Sequence, residues 1–184
     1  EPYIAVVHRL DRPVGGVMVF AKNKEAAAGL SAQVQDKTMV KYYQAVLTGE
    51  LPEEEGILDN YLIKDEKANK SRVTEKQLKG SKEAILEYEV LDVLETEEGL
   101  LSYVLIHLVT GRHHQIRCQM AHAGAGIYGD IKYNGEFMGT KGRSKEIGLY
   151  ASRLEFTHPV TKEHMVFKAE PIGEAFDKIE AEEI

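Results

Sequence analysis

The chain has 184 residues and a formal net charge of −7, with 43% of its residues hydrophobic and 29% charged. This composition is typical of one globular domain and excludes a collagen-like, disordered or disulfide-stapled chain. No apolar run approaches the roughly 20 residues of a membrane helix, and no signal-peptide pattern opens the chain. Because the single cysteine, Cys118, has no partner within the chain, we expect a reducing compartment and a cytoplasmic protein.

The acidic balance argues mildly against nucleic-acid binding, since phosphate binders usually carry a basic surface. The charges are unevenly distributed, however. Residues 170–184 hold six acids and one lysine, whereas residues 8–24 are locally basic. The sequence therefore still allows a basic face on an acidic protein.

The first half of the chain predicts strands interrupted by one helix. The apolar, β-branched segment 17–22 predicts a buried strand, and 24–36 has apolar residues at helical spacing. The alternating segment 39–49 and residues 57–63 predict two more strands, and residues 64–71 predict a polar loop.

The second half predicts two hairpins and two helices. Strands at 83–95 and 100–110 flank an acidic turn, and a helix over 113–123 ends at Gly124. A glycine-rich loop over 124–143 precedes strands at 149–156 and 163–170, and a very acidic helix closes the chain over 173–184. Because strands outnumber helices and pair as sequential hairpins, the predicted fold class is α+β, with a mostly antiparallel mixed sheet and flanking helices.

The first chemically distinctive segment is HRLDRPVGG, residues 8–16. It places Asp11 between Arg9 and Arg12, before a proline and two glycines. Neighbouring guanidinium groups favour the charged form of a carboxylate, so we expect Asp11 to be ionised and nucleophilic at neutral pH. Taken alone, the cluster is better explained as a surface ion pair.

The second segment is TGRHHQIR, residues 110–117. Arg112 lies at a strand-to-helix junction, where backbone N–H groups and the helix dipole favour an anion. Arg117 lies one turn further on, and a solvated helix arginine is the alternative interpretation. Adjacent His113 and His114 point in different directions on a helix, and no HExxH motif accompanies them, which disfavours a metal site built with His107 and His122.

The third segment is a tyrosine pair after Lys41. Tyr42 and Tyr43 face opposite sides of a strand, so at most one of them enters a given pocket. Core or cross-strand packing is the alternative role, and we accept it for Tyr42.

Taken together and in order, these segments resemble the RluA/RluD-type RNA pseudouridine synthase family over nearly the whole chain. The family motifs HRLDxxTSG, Lys-x-Tyr, LxTGRxHQIR…GDxxYG and F-x-H-P stand here as HRLDRPVGGVMVFAK, KYYQAVLTG, LVTGRHHQIR…GIYGDIKYN and LEFTHP. The second motif selects Tyr43 over Tyr42. Val14 and Gly15 replace a Thr-Ser pair, and three later positions also depart from the pattern, namely Gln119, Gly126 and Asn134.

The resemblance implies a pseudouridine synthase catalytic fold that isomerises uridine in rRNA or tRNA without cofactor or metal. The N1–C1′ bond breaks, the uracil turns, and C5 bonds to C1′. Asp11 matches the nucleophile, Arg117 the arginine paired with it, and Tyr43 the tyrosine that stacks on uracil and helps remove the C5 proton. For RNA binding we expect His8 and Arg9 to lie at the space that the extruded uridine leaves. We expect Arg112 and His114 to contact the RNA backbone.

The resemblance also sets expectations for the extent of the domain. We expect a single catalytic domain over residues 1–184, without the strands that usually precede HRLD and without an S4 domain, acting as a monomer with no membrane partner. A catalytically inactive RNA-binding module of the same fold is the competing interpretation. A metal-dependent phosphoryl-transfer or hydrolytic enzyme is a third.

Overall fold

The structure is a computed structural model that describes residues 2–97, 99–140 and 146–182. Three helices lie within these ranges: α1 (Lys24–Gln35), α2 (Gln115–His122) and α3 (Glu174–Glu182). The same ranges contain ten strands: β1 (Ala5–Val6), β2 (Gly15–Gly16), β3 (Phe20–Ala21), β4 (Val40–Thr48), β5 (Glu55–Asp65), β6 (Lys70–Thr74), β7 (Lys82–Thr96), β8 (Gly99–Leu108), β9 (Leu149–Thr157) and β10 (His164–Lys168).

Eight of the strands in the described residues form one sheet, in the order β10-β9-β4-β8-β7-β5-β6, with β2 added alongside β9. Every pair along this order is antiparallel, and only the short β2–β9 pair is parallel. Strands β1 and β3 form a separate two-stranded ribbon. The predicted fold class, a mostly antiparallel mixed sheet with flanking helices, is confirmed.

The central strand β4 is buried on both faces because helices cover each side of the sheet. Ala45 and Leu47 belong to the main core together with Ile116 of α2, whereas Val46 packs with Phe176 of α3. A bulge in β9 inserts one residue opposite the step from Tyr42 to Tyr43. The active-site residues described below lie on the α2 side of β4.

Two predicted elements differ from the observed ones. Segment 17–22 is not one buried strand: β2 ends before it at Gly16, and within it only Phe20–Ala21 forms a strand, β3, which pairs with β1 and leaves Phe20 47% exposed. The predicted loop 64–71 is a short turn leading into β6, an edge strand whose one apolar residue is Val73.

The other predicted elements are confirmed within one or two residues where the structure describes them. Helix α2 begins at Gln115 rather than at residue 113, because His114 adopts a left-handed conformation with φ of 51°. Residues 98, 141–143 and 183–184 of the predicted turn, loop and tail lie outside the described residues. No described helix is long and apolar enough to cross a membrane.

Candidate active site

The loop after β1 presents Asp11 through close backbone contacts. The N–H of Val14 donates to the carbonyl of Asp11 at 2.9 Å, which closes a turn, and β2 then runs directly along β9. Gly16 has φ of 125°, and a Cβ there would lie 2.2 Å from the carbonyl oxygen of Ala151. Only glycine fits this approach.

The same contacts give a physical reason for glycine at position 15. A Cβ on Gly15 would lie 2.8 Å from Cε2 of Tyr150, so the ring fills the space that a serine side chain would need. The neighbouring Val14 packs against the main core. The departure from Thr-Ser is thus matched by apolar and aromatic packing.

Arg117 of α2 bridges two carboxylates. Its Nη1 lies 3.6 Å from Oδ2 of Asp11, while its Nε and Nη2 donate to Oδ2 and Oδ1 of Asp130 at 2.7 and 2.8 Å. Arg117 is 5% exposed and Asp130 is fully buried. The structure brings Asp11 and Arg117 together as the resemblance implied, but the closer partner of the arginine is Asp130.

Burial and charge act in opposite directions on Asp11. Burial raises the pKa of this carboxyl above its ordinary value, outweighing the lowering by Arg117 and His113. Arg9 and Arg12, the sequence neighbours from which we expected the lowering, are exposed. The prediction that Arg9 and Arg12 favour the charged form of Asp11 was therefore wrong: Arg117 and His113 lower its pKa instead, and the net shift is upward.

Tyr43 projects from β4 into the core beside this carboxylate. It is 7% exposed, and burial followed by the charge of Asp11 raises the pKa of its hydroxyl. Its side chain is therefore a neutral phenol at neutral pH. Tyr42 stacks on His107 with a 4.9 Å centroid separation, and the guanidinium of Arg153 lies 5.5 Å from its ring. Tyr42 thus has the packing role that we expected for it.

The four residues expected to bind RNA occupy different environments. The Nε2 of His8 accepts the N–H of Val19 at 3.0 Å, and burial lowers the pKa of His8 to about 4, so this ring is neutral. Arg9 is exposed. The Nε of Arg112 donates to the carbonyl of Glu83 at 2.7 Å, which fixes its side chain at the start of α2.

His114 belongs to a network that ends at Arg117. Its Nδ1 lies 2.8 Å from the hydroxyl of Tyr133, which also accepts the N–H of Ser71 at 2.7 Å. The Tyr133 hydroxyl and Nδ1 of His114 thus share a hydrogen bond, and no described residue hydrogen-bonds to Nε2 of His114. Burial lowers the pKa of His114 to about 3, and the guanidinium of Arg117 lies 5.2 Å from the Tyr133 ring centroid.

Three site residues were not identified from the sequence: Asp130, Tyr133 and Lys41. The first two lie in GDIKY, which was quoted as a motif without a role for either side chain. Lys41 is two residues before Tyr43 on β4; burial lowers its pKa, and its charge contributes to lowering the pKa of His8. The first position of the Lys-x-Tyr motif was the signal for this lysine.

The histidines near the site do not form a metal site. The rings of His113 and His114 stack with a 3.7 Å centroid separation, and His113 bonds to Ser71 and Asn69. Among the described residues, no group of three or more His, Cys, Asp or Glu side chains could hold a metal ion.

The sequence and fold match proteins of one enzyme family. Residues 1–122 match the family model described as RNA pseudouridylate synthase. The chain is 36% identical over 179 residues to tRNA pseudouridine synthase C of Vibrio parahaemolyticus, covering 91% of this chain and 72% of that protein. It is 30% identical over 182 residues to ribosomal large subunit pseudouridine synthase C of Vibrio vulnificus, covering 96% of this chain and 54% of that protein.

A solved structure shares the fold. Human RNA pseudouridylate synthase domain containing 1 superposes with a TM-score of 0.79 at 22% identity, covering 97% of this chain and 80% of that chain. The sequence matches assign the chain to a family as well as to a fold. This chain belongs to the RNA pseudouridylate synthase family, as the order of its motifs predicted.

Proposed function

We propose that this domain isomerises specific uridines in rRNA or tRNA to pseudouridine with Asp11 as the nucleophile. The observation that supports this most directly is the arrangement of Asp11, whose side chain is 28% exposed and lies 3.6 Å from Arg117. At that distance the charge of Arg117 orients the carboxylate of Asp11, whose oxygen lone pairs remain free to attack a ribose carbon or to accept a ribose proton. The names of the two bacterial relatives support tRNA and rRNA as substrate classes.

Asp11 and Tyr43 act at different steps of the proposed reaction. The carboxylate of Asp11 either attacks C1′ of the target ribose or removes a sugar proton to give a glycal-like intermediate, and both routes break the N1–C1′ bond, with its electron pair leaving on N1 of the uracil. Tyr43, as a neutral phenol, stacks on the released base while it turns. Its raised pKa makes a phenolate base unfavourable at neutral pH, so it assists loss of the C5 proton only through its hydroxyl hydrogen bond.

RNA binding is assigned to cationic and polar groups around this carboxylate. Arg9 is exposed beside the Asp11 turn, where it can enter the space that an extruded uridine leaves. In this proposal Arg112, whose Nε donates to the carbonyl of Glu83, and Nε2 of His114 contact the RNA backbone. His8 is assigned to the wall of the pocket, because its Nε2 is already used by Val19.

The test of the nucleophile is loss of turnover without loss of binding. Asp11→Ala and the isosteric Asp11→Asn are expected to abolish tritium release from RNA containing [5-³H]uridine while leaving RNA affinity within about twofold, since neither change removes a cation. Asp65→Asn, at the exposed end of β5, is the matched control and should retain full activity, because an amide oxygen can still accept the N–H groups of Lys67 and Ala68. Tritium release by either Asp11 variant would overturn the assignment.

The test of Arg112 is the salt dependence of binding. Arg112→Ala should weaken RNA binding and flatten the plot of log affinity against log salt by about one unit, as for one lost phosphate contact. Lys168→Ala, on the far edge strand β10, should leave that slope unchanged. An unchanged slope in Arg112→Ala would show that its guanidinium does not contact phosphate.

The same proposal covers the setting of the reaction. We assign the domain to the cytoplasm, as a monomer that needs neither metal nor cofactor. Retained activity in EDTA would exclude a metal-dependent phosphoryl-transfer or hydrolytic enzyme. Pseudouridine mapping of RNA from cells with and without the gene would identify the target and would separate an active synthase from an inactive RNA-binding module.

A further inference from the structure

Asp130 is a buried carboxylate with every oxygen occupied. Its two oxygens accept from Nε and Nη2 of Arg117 at 2.7 and 2.8 Å, and Oδ1 also accepts the backbone N–H groups of Lys132 and Tyr133 at 2.9 and 3.3 Å. The backbone contacts fix the carboxylate within its own turn. Asp130 is therefore a rigid acceptor for the arginine fork.

The fork limits how Arg117 can meet Asp11. With Nε and one N–H of Nη2 held by Asp130, the guanidinium meets Asp11 through Nη1, at 3.6 Å. The Tyr133 ring packs against the guanidinium and restricts its rotation. A guanidinium free of Asp130 could instead form the two parallel hydrogen bonds to Asp11 that arginine usually makes with a carboxylate.

We infer that Asp130 is a positioning residue that holds Arg117 back from Asp11, so that the nucleophile is oriented by charge but keeps its oxygen lone pairs free for the ribose. The inference rests on the proposed role of Asp11. It assigns a function to GDIKY beyond packing. A bidentate pair between Arg117 and Asp11 would be more stable and less reactive, because both oxygens would be occupied by N–H donors.

The charged and titratable groups around Asp11 come from three elements. Arg117 and His113, from α2 and the residues before it, lower the pKa of Asp11, whereas Asp130 raises it. The other titratable groups coupled to Asp11 are Tyr43 of β4 and Lys132 of the loop after α2. Removing the charge of Asp130 acts twice in the same direction: it deletes a repelling carboxylate and lets Arg117 approach Asp11.

The experiment follows the titration of Asp11 directly. In Asp130→Asn, the midpoint of the Asp11 carboxyl, read by carbon NMR of labelled aspartate and assigned with Asp11→Asn, should fall by about one pH unit. The acid-side midpoint of the single-turnover rate, plotted against pH, should shift to lower pH by the same amount. The plateau rate should drop about tenfold or more, with RNA affinity within about twofold, because a nucleophile has been occupied and no binding group removed.

A structural role alone makes different predictions. Ser102→Ala removes another fully buried hydrogen bond, to the carbonyl of Gly49, and should lower stability without moving the Asp11 midpoint. If Asp130→Asn does not fold, Asp130→Glu replaces it: the added methylene pushes the guanidinium toward Asp11 and should lower the midpoint by a smaller amount. A midpoint that stays or rises in the folded variant overturns the inference. Absence of wild-type activity would overturn the proposed function instead, because the NMR midpoint is read without substrate.

Discussion

The hydroxyl of Tyr133 connects the edge strand β6 to the start of α2, and removing it should measurably destabilise the fold. It accepts the N–H of Ser71 at 2.7 Å and shares a hydrogen bond with Nδ1 of His114 at 2.8 Å. Each such bond contributes about 1 kcal/mol net to the free energy of unfolding. Tyr133→Phe should therefore lower that free energy by about 2 kcal/mol, since Ser71 is 7% exposed and its N–H would be left without this acceptor.

The measurement is urea unfolding followed by far-UV circular dichroism. Tyr61→Phe is the matched control, because Tyr61 is half-buried on β5 and its hydroxyl has no hydrogen-bond partner among the described residues. We expect the control to change the free energy of unfolding by less than about 0.5 kcal/mol. If Tyr133→Phe were no more destabilising than Tyr61→Phe, the hydroxyl would not join these elements.

Two further predictions concern the loop that carries Asp11. The folded state keeps His8 neutral with a pKa of about 4, below its ordinary value of 6.5, so the unfolded chain binds more protons between these values. The contribution of His8 to the free energy of unfolding should thus be complete above pH 6.5 and fall by about 2 kcal/mol toward pH 4, after allowance for partial exposure. Denaturant midpoints measured across this range should show the fall. The His8→Gln variant should lack the share of the fall that is due to His8. Gly16→Ala should unfold the loop or lower the free energy of unfolding by about 3 kcal/mol or more, because its Cβ would meet the Ala151 backbone at 2.2 Å. Gly135→Ala, whose Cβ would have no atom within 4 Å, should leave the melting temperature nearly unchanged. Equal melting temperatures for the two variants would contradict the packing described for the loop.

The sheet could be predicted because its strands carry local signals. Strands β7 and β8 alternate along their length and meet at an acidic turn, so the hairpin is visible in the sequence. Segment 17–22 lacks such a signal for its partner: an apolar run does not tell whether it joins the main sheet or a separate ribbon. Strand β6 was missed because it is short, follows a polar turn and contains a single apolar residue, Val73.

The active site could be predicted only where a motif gave a residue a role. Asp11, Tyr43 and Arg117 were each selected by a motif, and the structure places Arg117 and Tyr43 around Asp11. The fork between Arg117 and Asp130 depends on how the turn after α2 packs against that helix. Neither spacing nor composition encodes that contact, so an arginine assigned to one carboxylate proved to be shared by two.

The contact between Gly15 and the Tyr150 ring has an evolutionary consequence. Because a side chain at position 15 would collide with the ring at 2.8 Å, the two positions cannot vary independently. Family members with serine at the position of Gly15 should carry a smaller residue, or a differently rotated ring, at the position of Tyr150. Introducing the serine alone should disturb the loop that carries Asp11, and pairing it with Tyr150→Ala should relieve that conflict.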